Sequence, residues 1–375
     1  MNLLVSAGEA SGEYYAAALV EALRRRHPDW LFFGASGDRL QQAGVRPVID
    51  SSKLAVVGLA EVVTHLPGIY GEFRRLVAAA RDERPDLAIL VDNQAFHARV
   101  ARALHAQGIP VVQLIAPQAW AWREGRVKPM REHLRQLLCI FPFEESWFRE
   151  RGVPTTFIGH PLARRIQDWR NSHPPAEPPS RPLIALLPGS RRGEIARHLP
   201  ILRDAVAILH KSLPDARFVI STTSAVGSHF FDNQIPSPSI QVVVDQTWEV
   251  LSSADLALAA SGTVTTEAAL FGTPTVAFYR VSDLSWTLGR HLVRAPFFTM
   301  VNLIAGTQAI PELIQSQATG ANLAREALRL LTDAPARQAQ AAQLARVSQL
   351  LATDHDPMEK AADAIDSLLL KPAHA

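Results

Sequence analysis

The sequence predicts an α/β protein built from two Rossmann-like parallel-sheet domains facing each other across a cleft, with a helical C-terminal segment. Three observations predict it. Short, wholly apolar runs alternate with helical patterns through both halves, as in βαβ units whose sheet is buried on both faces. The chain has 375 residues, too long for one ordinary core and suited to two domains of roughly 170 residues each. Between the halves, 171–182 carries five prolines and little apolar content, the composition of an interdomain linker.

The boundaries that follow are a first domain at 1–170, a linker at 171–182, a second domain at 183–340 and C-terminal helices at 341–375 that pack back toward the first domain. In the first half, Leu3 to Ala7 reads as a strand, then a glycine loop and a helix from Tyr15 to Arg26. Further strands are expected at 31–35, 87–91, 110–115, 136–141 and 155–159. The second half repeats the alternation, with strands at 183–187, 217–222, 240–244, 256–260 and 275–279. After Pro311 the chain reads as helical to its end. In open parallel sheets, ligands bind beyond the carboxyl ends of the strands. The loops at those ends are therefore the candidate sites.

Composition narrows the function. A formal charge of +2 argues against a dedicated nucleic-acid binder, which should be strongly basic. The single cysteine, Cys139, lies in an apolar run and reads as a buried strand thiol, and one cysteine allows no intrachain disulfide. No signal peptide is read at the N-terminus and no apolar run approaches about 18 residues, so a cytoplasmic protein without a spanning helix is expected. There is no H-E-x-x-H and no paired Cys/His cluster, so neither metal nor cofactor is expected. Asp354-His-Asp356 reads as a solvated capping segment.

The most informative loop is Leu187-Pro-Gly-Ser-Arg191, which follows a five-residue apolar strand. Pro188 ends the strand, Gly189 lets the backbone approach a ligand, and Ser190 can cap the next helix. Arg191 adds a fork of donors where free N–H groups and the helix dipole already favour an anion, a place suited to a diphosphate. Ser261-Gly-Thr263 occupies the equivalent place after another strand, with Glu267 one turn into its helix, suited to grip a ribose diol. Each alone reads equally as helix capping; together they favour a nucleotide diphosphate site.

In the first half, Gly8-Glu-Ala-Ser-Gly12 is not a dinucleotide fingerprint, because the glycine spacing is wrong. Ser11 and Gly12 are left as a sugar or phosphate contact or as a tight turn. Asp92 ends the strand Leu87–Val91, where a carboxylate can take a proton from an attacking hydroxyl or merely cap the following helix. His97, five residues on, is a possible partner for Asp92, but an exposed helical histidine is the reading preferred. The stretch from Leu54 to Tyr70, continued by Phe73-Arg-Arg75, is unusually apolar for a connection. It either meets lipid or packs as one more core helix.

These motifs, in this order and spacing, resemble the lipid-A-disaccharide synthase family, inverting glycosyltransferases of the GT-B type. The resemblance runs through Gly8-Glu-Ala-Ser-Gly12, Val56-Val-Gly-Leu-Ala-Glu-Val62, Val91-Asp92, Trp120-Ala-Trp-Arg123, Phe141-Pro-Phe-Glu144 and Phe157-Ile-Gly-His-Pro161. It continues in Leu187-Pro-Gly-Ser-Arg191, Ala260-Ser-Gly-Thr263 with Glu267, Asn302-Leu-Ile-Ala-Gly306 and Pro311-Glu-Leu313. It implies transfer of 2,3-diacylglucosamine from UDP-2,3-diacylglucosamine to 2,3-diacylglucosamine 1-phosphate (lipid X), without metal, at the inner-membrane surface. Asp92 matches the general base and Arg191 the arginine that neutralises the diphosphate. Ser11, Gly12, Gly189, Ser190, Ser261, Gly262, Thr263, Glu267 and Asn302 match substrate-binding positions. Val56, Val57, Leu66, Ile69 and Phe73 match the membrane and acyl-chain region. A homodimer is left open. Two residues depart from the family pattern after Asp92: Ala95 stands for a second acid and His97 for an asparagine. Those departures keep two alternatives in view, a GT-B homologue acting on another UDP-sugar, as transferase or epimerase, and an inactive nucleotide-binding, membrane-associated homologue.

Overall fold

The computed structural model describes residues 1–8, 10–54, 59–122, 124–174, 181–232, 240–283, 286–287 and 295–370. Within these, the side chains of 10, 11, 52, 53 and 59–66 are left undescribed. The chain divides into one unit of Met1–Pro161 with Thr353–Ala375 and a second of Leu162–Ala352.

The first unit holds a seven-stranded sheet of order β3-β2-β1-β4-β5-β6-β7: β1 (Asn2–Ala7), β2 (Leu31–Ser36), β3 (Val45–Asp50), β4 (Leu87–Val91), β5 (Val111–Leu114), β6 (Gln136–Cys139) and β7 (Thr155–Phe157). The second holds six strands of order β10-β9-β8-β11-β12-β13: β8 (Leu183–Leu187), β9 (Arg217–Thr222), β10 (Ile240–Val244), β11 (Leu256–Ala260), β12 (Thr275–Tyr279) and β13 (Glu312–Ile314). All described pairings are parallel. Strand order reverses between β1 and β4 in one sheet and between β8 and β11 in the other. The four loops singled out from the sequence follow those four strands.

Apolar runs without alternation form these strands because both faces are covered. On β4, Leu87, Ile89 and Val91 join one core with the helices Ala10–Arg26 and Pro357–Leu369, while Ala88 and Leu90 join a second core with the helices Gln94–His105 and Val127–His133. In the second unit, Ile184 and Leu186 of β8 face one core, and Leu183, Ala185 and Leu187 face another. Truncating such a leucine to alanine costs about 2–5 kcal/mol.

Two strands are additional to those the sequence predicts, and both are edges. β3 contains Pro47 and mixed polarity, tolerated because an edge strand can forgo a ladder donor. β13 is only three residues long, so the chain after Pro311 is not helical throughout.

The units also divide at other points than the proline count suggests. The helix Pro161–Ser172 lies in the second unit, where Trp169 packs edge-on against Trp248 and Phe271, and Arg165 and Arg170 lie over the Trp248 and Phe271 rings. Residues 175–180 of the expected linker lie outside the described residues. At the other end, the helix Ala334–Leu351 stays with the second unit, burying Leu344, Val347 and Leu351. The return to the first unit begins at Thr353. Asp356 Oδ1 then caps the last helix through the Met358 and Glu359 amides, and Arg26 reaches Glu359, Asp363 and Asp366 on it. Cys139 is buried in β6, and burial drives its thiol pKa far up, which makes it unreactive. Among the described residues no helix is long and apolar enough to cross a membrane.

Candidate active site

In the second unit, the ends of β8, β9, β11 and β12 surround a cavity of about 420 Å³. Its lining includes Gly189, Ser190, Arg191, Ser261, Gly262, Thr263 and Glu267, so seven of the sequence candidates meet in one place. Two helices start at it, Arg192–Ser212 with Arg191 as N-cap and Thr263–Phe271 with Gly262 as N-cap. Both present unpaired N–H groups and the positive ends of their dipoles to an anion. A Cβ on Gly262 would meet nothing within 4 Å, which leaves the approach to the second helix open.

Glu267 is held by the Trp248 indole, whose Nε1–H donates to Oε1 at 2.9 Å. Burial pushes its carboxyl pKa up, against that hydrogen bond and the nearby Arg165. Thr222 and Thr223, with Glu267 in the lining, carry buried hydroxyls with no protein partner. Such orphans are costly unless something in the cavity satisfies them. Ser261 differs, because its hydroxyl already donates to the Phe298 carbonyl at 3.1 Å.

Asn302 is not part of this lining. It is fully buried, donating to the Ile310 carbonyl (2.9 Å) and Glu312 (2.8 Å) and accepting the Ile310 N–H (2.9 Å). Both amide protons are committed, so the side chain has no donor left for a substrate. Glu312 in turn accepts the Phe298 and Thr299 amides. Asn302 thus braces the segment that receives Ser261.

In the first unit, the loop after β1 lies against the turn after β4. A Cβ on Gly12 would sit 3.3 Å from Asp92 Cβ, and one on Gly8 would strike Asn93 at 2.3 Å. Gly12 and Asp92 are therefore neighbours. Ser11 precedes Gly12 in the same helix, but its side chain lies outside the described set. Asp92 and Asn93 both have positive φ, 55° and 38°, an uncommon conformation that asparagine and aspartate tolerate best. Asp92 is half-buried, and burial raises its carboxyl pKa against one hydrogen bond from the Asn93 amide. A raised carboxylate at a strand end is a stronger base than a solvated one.

His97 corrects the sequence expectation: it is fully buried, not exposed. Its Nδ1 lies 2.7 Å from the Asp92 carbonyl, which can only accept, so Nδ1 carries the proton. Nε2 then accepts the Ser6 hydroxyl at 2.8 Å. Burial lowers its pKa to about 4, so the ring is neutral at pH 7 and pins the strained Asp92 turn to β1. Ala95 is exposed on the same helix.

Other groups here stand in the resemblance motifs or in a helix without a role having been assigned to them. Buried Glu144 accepts the Trp120 indole N–H (3.1 Å) and the Phe141 amide (3.3 Å), and burial pushes its pKa up to about 8. His160 nearby, tilted against the Phe141 ring, is lowered to about 4 by burial. In the second unit, buried His198 spans Pro188 and Arg280: Nδ1–H donates to the Pro188 carbonyl (2.8 Å) and Nε2 accepts the Arg280 amide (3.1 Å). A histidine in an amphipathic helix gives no local sign of such bridging.

On the helix Leu59–Glu83, Ile69 and Phe73 join Tyr70, Phe96 and Arg99 around an apolar cavity of about 280 Å³. Tyr70 is exposed, and Arg74, Arg75 and Arg81 line an adjoining depression. Val56 and Val57 lie outside the described residues, as does the Leu66 side chain.

Comparison with known proteins gives the family. Residues 3–365 match the family model described as lipid-A-disaccharide synthetase. The lipid-A-disaccharide synthase of Solibacter usitatus is 54% identical over 374 residues, covering 98% of this chain and 97% of its own. That of Koribacter versatilis is 41% identical over 379 residues, covering 98% of each. Among solved structures, the calicheamicin glycosyltransferase CalG4 superposes with a TM-score of 0.64 at 18% identity, covering 99% of each chain. The UDP-GlcNAc 2-epimerase of Neisseria meningitidis gives 0.63 at 13%, covering 99% of this chain and 100% of its own. At such identities the structural likenesses establish the fold alone. The chain belongs to the lipid-A-disaccharide synthetase family and is a UDP-sugar glycosyltransferase of the GT-B fold.

Proposed function

We propose that the protein transfers 2,3-diacylglucosamine from UDP-2,3-diacylglucosamine to the 6-hydroxyl of 2,3-diacylglucosamine 1-phosphate, releasing UDP and forming a β-1,6 disaccharide 1-phosphate. The observation that carries this reading is the second-unit cavity, where two helix N-termini, Arg191 and the orphaned Thr222 and Thr223 hydroxyls converge. Arg191 and the helix N-termini stabilise the charge that grows on departing UDP, and Glu267 accepts from the ribose. Asp92 takes the acceptor proton as its oxygen attacks the anomeric carbon. Its half-buried position and raised pKa support that role. Inversion needs one such attack, hence one base and one stabilised leaving group.

The acyl chains and the membrane surface are assigned to the helix Leu59–Glu83. An apolar cavity beside Phe73 and Ile69, with three arginines adjoining, suits chains below a phosphate-bearing headgroup. The reaction is tested with purified protein and both acylated substrates, by counting disaccharide and UDP. Asp92→Asn should lower turnover by about 10²–10⁴-fold while UDP still binds. Near-full activity in that variant would remove Asp92 from the role of base.

A further inference from the structure

The loop read as an anion site already holds an anion belonging to the protein. Glu194, in the first turn of the helix Arg192–Ser212, folds back over Pro188–Arg191. Its Oε2 accepts the Ser190 N–H at 3.2 Å, and the Tyr279 phenol lies close enough to feel the same carboxylate, so that burial and this charge together hold its pKa up. Gly189 has φ +115°, and a Cβ built there would lie 2.2 Å from Glu194 Oε2. In this structure the glycine makes room for Glu194, in the space that the sequence reading gave to a ligand. Gly189, Ser190, Glu194 and Tyr279 all line the cavity at the end of the second sheet.

We propose that Glu194 takes the place of the donor's phosphate before the nucleotide binds, and that the Ser190 N–H then passes from it to the diphosphate while the Tyr279 hydroxyl turns to the same phosphate oxygens. This rests on the donor-site reading above. A carboxylate and a diphosphate cannot share that N–H at contact distance, because like charges in a half-enclosed site repel strongly. The N–H is never left unsatisfied, since one charge-assisted acceptor replaces another. Arg197, three residues on and so on the same helix face, is a cation available to the displaced carboxylate. The loop stays folded without ligand, and a weakly bound anion gains nothing by entering. Tyr279 becomes a diphosphate-positioning residue that only the handover exposes.

The test is calorimetric titration of UDP and uridine into wild type, Glu194→Gln and Tyr279→Phe. Glutamine keeps the shape and removes the charge, so UDP should bind about tenfold tighter, with uridine unchanged. Tyr279→Phe should weaken UDP by a similar factor and again spare uridine. Equal or weaker UDP binding by a folded Glu194→Gln would overturn the handover. Should that variant fail to fold, a UDP-bound crystal structure of the wild type decides: Glu194 moved off the Ser190 N–H supports the proposal, Glu194 still on it refutes it. Wild-type protein that binds no UDP at all would instead remove the donor-site reading itself.

Discussion

The two loop pairs at the strand-order reversals do similar architectural work by opposite means. In the first unit the turn after β4 is held by non-glycine residues in a left-handed conformation, pinned by a buried neutral histidine. In the second, the turn after β8 relies on glycine and is filled by the Glu194 carboxylate. One loop sets a single carboxylate beside a neutral histidine; the other sets a carboxylate beside arginines. That difference suits their proposed tasks. A general base gains strength from desolvation, whereas a diphosphate needs donors and cations that can be released and regained.

After the loss expected for Asp92→Asn, the largest effect should come from the charged loop. Arg191→Ala is expected to lower turnover by about 10²–10³-fold, with Arg191→Lys recovering part of it, because lysine supplies charge without the fork. Steady-state kinetics on both variants checks this. Equal loss in both would mean that geometry, not charge, dominates there.

Next comes the pinned loop. His97→Ala removes both hydrogen bonds and leaves the Asp92 carbonyl and Ser6 hydroxyl buried without partners, a destabilisation of about 2–4 kcal/mol. His97→Asn can still donate to the Asp92 carbonyl from the Nδ1 position but falls short of Ser6, so it should restore part of the stability and turnover. Denaturant unfolding with parallel assays measures both. If asparagine is no better than alanine, ring packing rather than the pin sets the Asp92 turn.

The smallest effect is spread over pH. His97 and His160, at about 4 when folded against 6.5 in the open chain, bind protons only after unfolding between those values, so stability falls as pH drops through 6.5 toward 4. Glu144, at about 8 against 4.5, holds a proton only when folded, so its contribution falls as pH rises from 4.5 to 8. The histidines prevail below pH 6.5 and Glu144 above it, at no more than about 1.4 kcal/mol per pH unit for each group. Thermal unfolding between pH 5 and 9 should show a maximum near 6.5, and Glu144→Gln should flatten the alkaline side. An unchanged alkaline slope would place that titration elsewhere.

Much of the site was legible because strand ends and glycine loops are local patterns. Arg191, Ser261–Thr263 and Glu267 converge as their spacing suggests, and Asp92 lies against Gly12. Asn302 was not legible as a brace, since its partners Ile310 and Glu312 become neighbours only when the following strand joins the sheet. His97 misled for the same reason: Ser6, its second partner, is 91 residues away. The proline-rich stretch pointed to a division near 171, yet Trp169 carries the preceding helix into the second unit through its contacts with Trp248 and Phe271.

The sequence by itself determined the two parallel sheets, the four loops at their reversals and the family. Each of these is written in short-range periodicity, in residues with special backbone freedom and in motif order. Only the tertiary structure decided which ionisable groups are buried, which tautomer His97 adopts and which anion sits over Gly189. Burial and hydrogen-bond pairing depend on residues far apart in the chain, and desolvation acts on a side chain only after those residues have closed around it.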